Sequence, residues 1–222
     1  GGRHPTHGTF NRIGWLGDSY VELMGVFDRD LAARSWWGSH LLRVLEHSAA
    51  GWMGVALGSD DATADAALLA GRGSALGQLE AGERSRPDGG VVRWRLLHAS
   101  KPDPDLGLLF LIEHDPSSPE WSPADRALRA SFTHPLGGPA RLDRIEIPAT
   151  DLRAAALRLI RDVGLAFRPS LAGRGARDAS VGRQTVRLMP ATRGVVPRIV
   201  IRGGAHRREV SVLGCSWQLE PG

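Results

Sequence analysis

Glu22 is the residue whose type and surroundings best suit chemistry. It stands in the apolar run Tyr20-Val21-Glu22-Leu23-Met24-Gly25-Val26-Phe27, and an acid placed there is costly to bury without a partner. It therefore ligates a cation, pairs with an arginine or faces water. Side chains two apart share one face of a strand, so Tyr20 accompanies Glu22. In the preceding run, residues 8–16, Thr9 accompanies Asn11 in the same way, and Gly17-Asp18-Ser19 supplies the turn between the two runs. Polar side chains that point inward need partners, which makes Thr9 and Asn11 candidate hydrogen-bonding residues of a pocket. The same pattern also describes the solvated side of a sheet, and both readings stand.

A second carboxylate, Glu113, ends the run Phe110-Leu111-Ile112-Glu113-His114. If Glu22 and Glu113 face one interior, the pair suits a divalent cation or one carboxyl of raised pKa; otherwise Glu113 and His114 lie at a strand end in solvent. Arg93 and Arg95 share a face opposite Trp94, so an inward arginine pair would bind an anion, and an outward pair is a solvated face. His134, before Pro135, can reach a pocket mouth. His4 and His7 flank a turn and read as loop histidines. His40, His47, His98 and His206 form no HxxxH or HxH spacing, and no P-loop, CxxC or GxSxG occurs.

Composition removes several functions. The net charge is +4 despite a pI near 10.4, and the basic residues are arginines apart from Lys101. No zinc finger, basic helix or aromatic RNA-binding motif accompanies them, so nucleic acid is not an expected partner. No stretch approaches the roughly 18 apolar residues of a membrane span, so no membrane partner is expected. The lone Cys215 leaves no internal disulfide framework, reads as a small core residue and suits a reducing, cytoplasmic setting.

The elements that must position these residues follow from periodicity. Residues 28–47 read as a helix-rich connector capped at Asp28 or Asp30, with Trp36-Trp37 sealing a helix against a sheet. Residues 52–57, a helix from the Ser59-Asp60-Asp61 cap to about Ala70, a short strand near 76–79, and strands at 91–99 and 106–114 make a βαβββ unit. A linker rich in Pro and Ser, residues 116–140, carries a short helix at 123–130 and closes with His134-Pro135-Leu136-Gly137-Gly138. The pattern then repeats: a strand at 143–147, a helix at 152–162 stopped by Gly164, and strands at 183–189, 198–202 and 209–219. The expected fold is α+β, with βαβββ modules forming a curled mixed sheet and helices outside. Residues 1–115 form the barrel (a partial first module at 1–27, a second at 51–115), and 141–222 form a third module. A lone module leaves an edge and a face exposed, so the third packs beside the barrel or against its copy in a homodimer.

His4-Pro5, Gly8-Thr9, Asn11-Arg12-Ile13 and Tyr20 through Val26 resemble the glyoxalase-like branch of the vicinal oxygen chelate superfamily. Arg86-Pro87-Asp88-Gly89, Val92 to Arg95, Leu109 to Ile112 and His134-Pro135 follow in the order that branch uses. The resemblance covers roughly residues 3–150 and implies a half-open barrel, often with a divalent metal (zinc, nickel, iron or manganese) inside. It places Glu22 as metal ligand or proton shuttle and Glu113 at the equivalent point of the next module; the residues expected around the ligand are Thr9, Asn11, Tyr20, Arg93, Trp94 and His134. The chain departs from the pattern in two places. The opening strand and helix that usually precede this run are not in this sequence, which reads as a fragment or a misassigned start, and residues 52–57 offer no ligating side chain, so the full ligand set is not expected from these residues alone. The function expected is an enzyme acting on a small polar organic molecule, with any metal as a Lewis acid for vicinal oxygens. The alternative is a non-catalytic pocket protein like the drug-sequestering resistance proteins of the same fold.

Overall fold

The computed structural model describes residues 1–130, 134–135, 139–171 and 175–222; the Leu136-Gly137-Gly138 end of the linker turn lies outside them. Two seven-stranded mixed sheets carry the fold among these residues. The first begins with β1 (Gly2–His4), β2 (Thr9–Leu16) and β3 (Ser19–Val26), followed by helices α1 (Arg29–Arg34) and α2 (Trp36–His47). It continues with β4 (Gly54–Gly58), helix α3 (Ala62–Ala70), β5 (Leu76–Ser85), β6 (Val91–Ala99) and β7 (Leu108–His114). Its strand order is β3-β2-β1-β5-β6-β7-β4, with β4 parallel to β7 and the other pairs antiparallel. The sheet curls into a half-barrel, as the α+β reading predicts.

Helix α4 (Pro123–Ala130) leads to the second sheet: β8 (Arg141–Ala149), helix α5 (Leu152–Val163), β9 (Arg168–Pro169), β10 (Arg177–Val181), β11 (Gln184–Pro190), β12 (Arg198–Arg202), β13 (Arg208–Val212) and β14 (Cys215–Glu220). The order β13-β14-β12-β8-β11-β10-β9, with β8 parallel to β11, reproduces the β4-β7-β6-β5 arrangement in β8-β11-β10-β9. This corrects the strand assignment read from the sequence. The repeat is completed by β9, β10 and β11, while β12 to β14 extend the sheet on the far side of β8. The single strand expected at 209–219 is a hairpin that turns at Leu213 and Gly214, both at positive φ.

The helices start where short polar side chains supply caps. Asp28 accepts from the N–H groups of Asp30 and Leu31, Asp61 from Thr63 and Ala64, and Asp151 from Arg153 and Ala154. Gly164, at φ 73°, closes α5 in the left-handed conformation that glycine adopts freely.

The two sheets share one core. Val55, Leu57, Leu97, Leu109 and Leu111 of the first meet Ile147, Ala149 and Leu188 of the second, together with Leu69 of α3 and Leu159 of α5. Asp162 accepts from the N–H of Ala75, and Arg158 pairs with Asp103 at 2.9 Å, tying α5 to the barrel. Residues 141–220 thus pack beside the barrel within one chain.

Candidate active site

The alternation of the strands decides which side chains enter the half-barrel. Thr9, Asn11 and Ile13 of β2, Tyr20, Glu22 and Met24 of β3, Gly82 and Arg84 of β5, Trp94 of β6 and His114 of β7 all share its concave face. Trp37, Val92, Trp94, Leu96, Phe110, Ile112 and Trp121 form an apolar lining there. Within that lining lies a cavity of about 20 Å³ walled by Asn11, Tyr20, Glu22, Arg84, Trp94, His114 and neighbours. It shares Tyr20, Glu22, Trp37, Ile112, His114 and Trp121 with a cleft of about 1030 Å³, whose opposite wall is Ile145, Val186, Ile199 and Trp217 of the second sheet.

Asn11 organises the acid. Its Nδ2 donates to Glu22 Oε1 at 2.6 Å while its Oδ1 accepts the N–H of Gly2 at 2.9 Å, so both ends of the amide are fixed. Burial pushes the Glu22 carboxyl above its ordinary range; the Asn11 bond and the charge of Arg84 oppose this and do not cancel it. Thr9, fully buried, bonds His4 Nδ1 at 3.0 Å. Burial, followed by the neighbouring charges of His7 and Arg84, pushes His4 down to about 3. Tyr20 lies 3.4 Å from His114 Nε2, and burial raises its hydroxyl pKa. His114 stacks on Trp121 with centroids 3.5 Å apart and is pushed down to about 3, first by burial and then by Arg126, Arg84 and Arg129. Both histidines are neutral at pH 7.

Arg84 is the cation of the site. It is 2% exposed, and its Nη2 donates to Glu120 Oε2 at 2.7 Å. Glu120 has φ 75°, a conformation that costs a non-glycine residue on the order of 1–3 kcal/mol. Asp125 holds it there by accepting its N–H at 3.1 Å, and Arg129 by donating to its carbonyl. Arg129 also lies 3.9 Å over the ring of Trp15. The linker thus folds across the barrel end and delivers Trp121 and Glu120 to the site.

Several sequence expectations meet a different geometry. Glu113 lines the larger cleft together with Glu22 but takes no part in the small cavity, whose β7 wall is Ile112 and His114. On β7 Phe110, Ile112 and His114 point inward, so Glu113 points outward, bonding Arg95 at 2.6 Å and the N–H of Ala62 at 2.8 Å. The two carboxylates form no pair. Arg93 is on that outer face as well, 3.5 Å from Glu83 and well exposed, because it alternates with the inward Trp94. His134 lies part-buried in the linker and lines neither cavity. Conversely His4, His98 and His114, read as incidental or solvated, are enclosed. His98 stacks on Trp36 at 3.9 Å and lies 3.4 Å from Glu80, which accepts Trp36 Nε1 at 2.9 Å.

The donor set does not fit a divalent cation. Among the described residues no group of three His, Cys, Asp or Glu side chains is placed to hold one. The cavity wall opposite Glu22 carries a guanidinium, whose charge repels a metal. What the arrangement offers is an acid of raised pKa, a buried cation and aromatic walls.

Comparison with known proteins agrees with this architecture. No curated protein matches the chain. A hypothetical protein from Staphylococcus aureus has the same fold, with a TM-score of 0.80 over 100% of this chain and 88% of its own, at 17% identity. The family model described as a glyoxalase-like domain matches residues 1–163. With most of its length matched and the curled βαβββ sheet in place, the chain belongs to the glyoxalase-like domain family.

Proposed function

We propose that this protein is an enzyme that binds a small polar organic molecule in the cleft and moves one of its protons with Glu22. One observation carries the reading: the Glu22 carboxyl, held by Asn11, shares a small cavity with the buried guanidinium of Arg84. A carboxyl whose acidity is weakened by burial is the better proton acceptor near neutral pH. Asn11 keeps the carboxylate oriented, and the aromatic walls exclude water from the transfer. Tyr20 and His114, in contact and neutral at pH 7, offer a route for the proton toward the cleft.

The test is a screen of small carbonyl compounds in D2O, following loss of the C–H signal by proton NMR. Exchange catalysed by the wild type and lost in Glu22→Gln supports the reading. Exchange that is equal in both proteins, or found with no compound, overturns it. The size of the cleft, about 1030 Å³, favours a second reading in which a larger apolar ligand is bound without turnover. Ligand-induced stabilisation with no proton exchange would select that one.

A further inference from the structure

We propose that Arg84 and Trp94 together form an oxygen-binding pocket. Their buried N–H groups hold and polarise one carbonyl or carboxylate oxygen of the ligand beside Glu22, the role that chelate chemistry gives to a divalent cation. Both side chains are at least nine-tenths buried and both line the cavity that Glu22 lines. Arg84 spends Nη2 on Glu120, but its Nη1 has no partner, and neither has Trp94 Nε1. Two donors stripped of water with nothing to bond are rare in folded proteins, because each costs on the order of 1–3 kcal/mol.

The sequence makes room for this arrangement at Gly82. A Cβ there would lie 2.3 Å from Trp94 Nε1, so only glycine lets the indole nitrogen lie down beside Arg84 on β5. A cavity of about 20 Å³ holds one oxygen atom with its shell, since a water needs roughly 10–15 Å³. Continuity with the larger cleft lets that oxygen arrive attached to a ligand. Glu120, strained and doubly anchored, is a positioning residue that fixes the guanidinium.

Resting on the reading of Glu22 as proton acceptor, this names the substrate class: a carbonyl compound with an acidic hydrogen on the adjacent carbon. The C–H bond breaks, its proton passes to the Glu22 carboxylate, and the electron pair moves onto the carbonyl oxygen as an enolate. The donors of Arg84 and Trp94 hold that negative oxygen. Return of the proton to the same carbon closes the cycle, and no oxidant or reductant is needed.

The experiment uses acetate as the probe on the 15N-labelled whole chain treated with EDTA. The readouts are the indole N–H of Trp94, identified by its loss in Trp94→Phe, and calorimetric titration. The expected result is a saturable downfield shift with a dissociation constant of about 1–10 mM. Binding should be about fivefold weaker in Trp94→Phe, which keeps an aromatic ring but lacks the donor. Three results overturn the proposal: binding that needs added zinc or manganese, an indole signal that acetate leaves unmoved, or equal affinity in Trp94→Phe. Acetate binding at Trp94 together with proton exchange unaffected by Glu22→Gln supports the oxygen pocket and overturns only the role of Glu22.

Discussion

Acid should weaken this fold through its enclosed histidines, and the size of the effect follows from the geometry. His4 and His114 are both pushed from 6.5 to about 3. Below 6.5 the unfolded chain takes up a proton at each position while the folded chain does not. The stability these neutral rings contribute is therefore complete above 6.5 and is lost as pH falls toward 3. Between pH 7 and pH 5 each histidine removes about 2 kcal/mol, and the pair about 4 kcal/mol. Glu22 works in the opposite direction, because a carboxyl of raised pKa gains its proton in the folded state first and so stabilises it as pH falls. The clean comparison is therefore with His4→Asn, whose side-chain amide reproduces the Nδ1 bond to Thr9 and does not titrate. Urea unfolding at pH 7 and pH 5 should show His4→Asn losing about 2 kcal/mol less than the wild type. Equal losses in the two proteins would refute the argument, since His4 would then take its proton without strain.

Two further perturbations test the packing. Gly82→Ala places a methyl 2.3 Å from Trp94 Nε1 and 2.7 Å from Cε2, so the rigid indole must retreat by about 1 Å into a filled core. A loss of about 1–3 kcal/mol in urea unfolding is expected, with a shifted tryptophan fluorescence maximum; unchanged stability would mean that the indole lies elsewhere. Leu159→Ala empties a fully buried position in the core shared by both sheets and should cost about 2–5 kcal/mol. The variant should still unfold in one transition by fluorescence and far-ultraviolet circular dichroism, whereas two separate transitions would show that the sheets are independent.

The long apolar strands and capped helices were legible because their periodicity and caps act locally: β6 and α4 fall where the pattern puts them, and Asp151 and Gly164 bound α5. The misses have physical causes. β5 extends to Ser85 although Leu76-Gly77-Gln78-Leu79-Glu80-Ala81-Gly82-Glu83-Arg84-Ser85 has no β-branched residue; it is a strand because it pairs with both β1 and β6. Stopping it at 79 hid Arg84. β9 and β10 are short and polar, held by pairing rather than by composition: β10 lies in register with β11, and β9 with β10. Glu113 illustrates parity. Leu108 to Ile112 are buried on both faces, so alternation could not tell which side the next residue takes, and the β7 residue that reaches the small cavity is His114 and not Glu113. The face shared by Thr9, Asn11, Tyr20 and Glu22 was readable because β2 and β3 form a simple hairpin with clear alternation. Glu120 and Trp121 reach the site through a linker, and no strand or helix period announces such residues.

The acidity of Glu22 is the most direct test of the account, read from its carboxyl carbon by 13C NMR across a pH titration, with Glu22→Gln identifying the signal. A midpoint above the ordinary 4.5 is expected, set by burial of the carboxyl, and this weakened acidity is what makes the ionised form the better proton acceptor. A midpoint at or below 4.5 would contradict it and make Glu22 an ionised structural partner of Asn11 and Arg84.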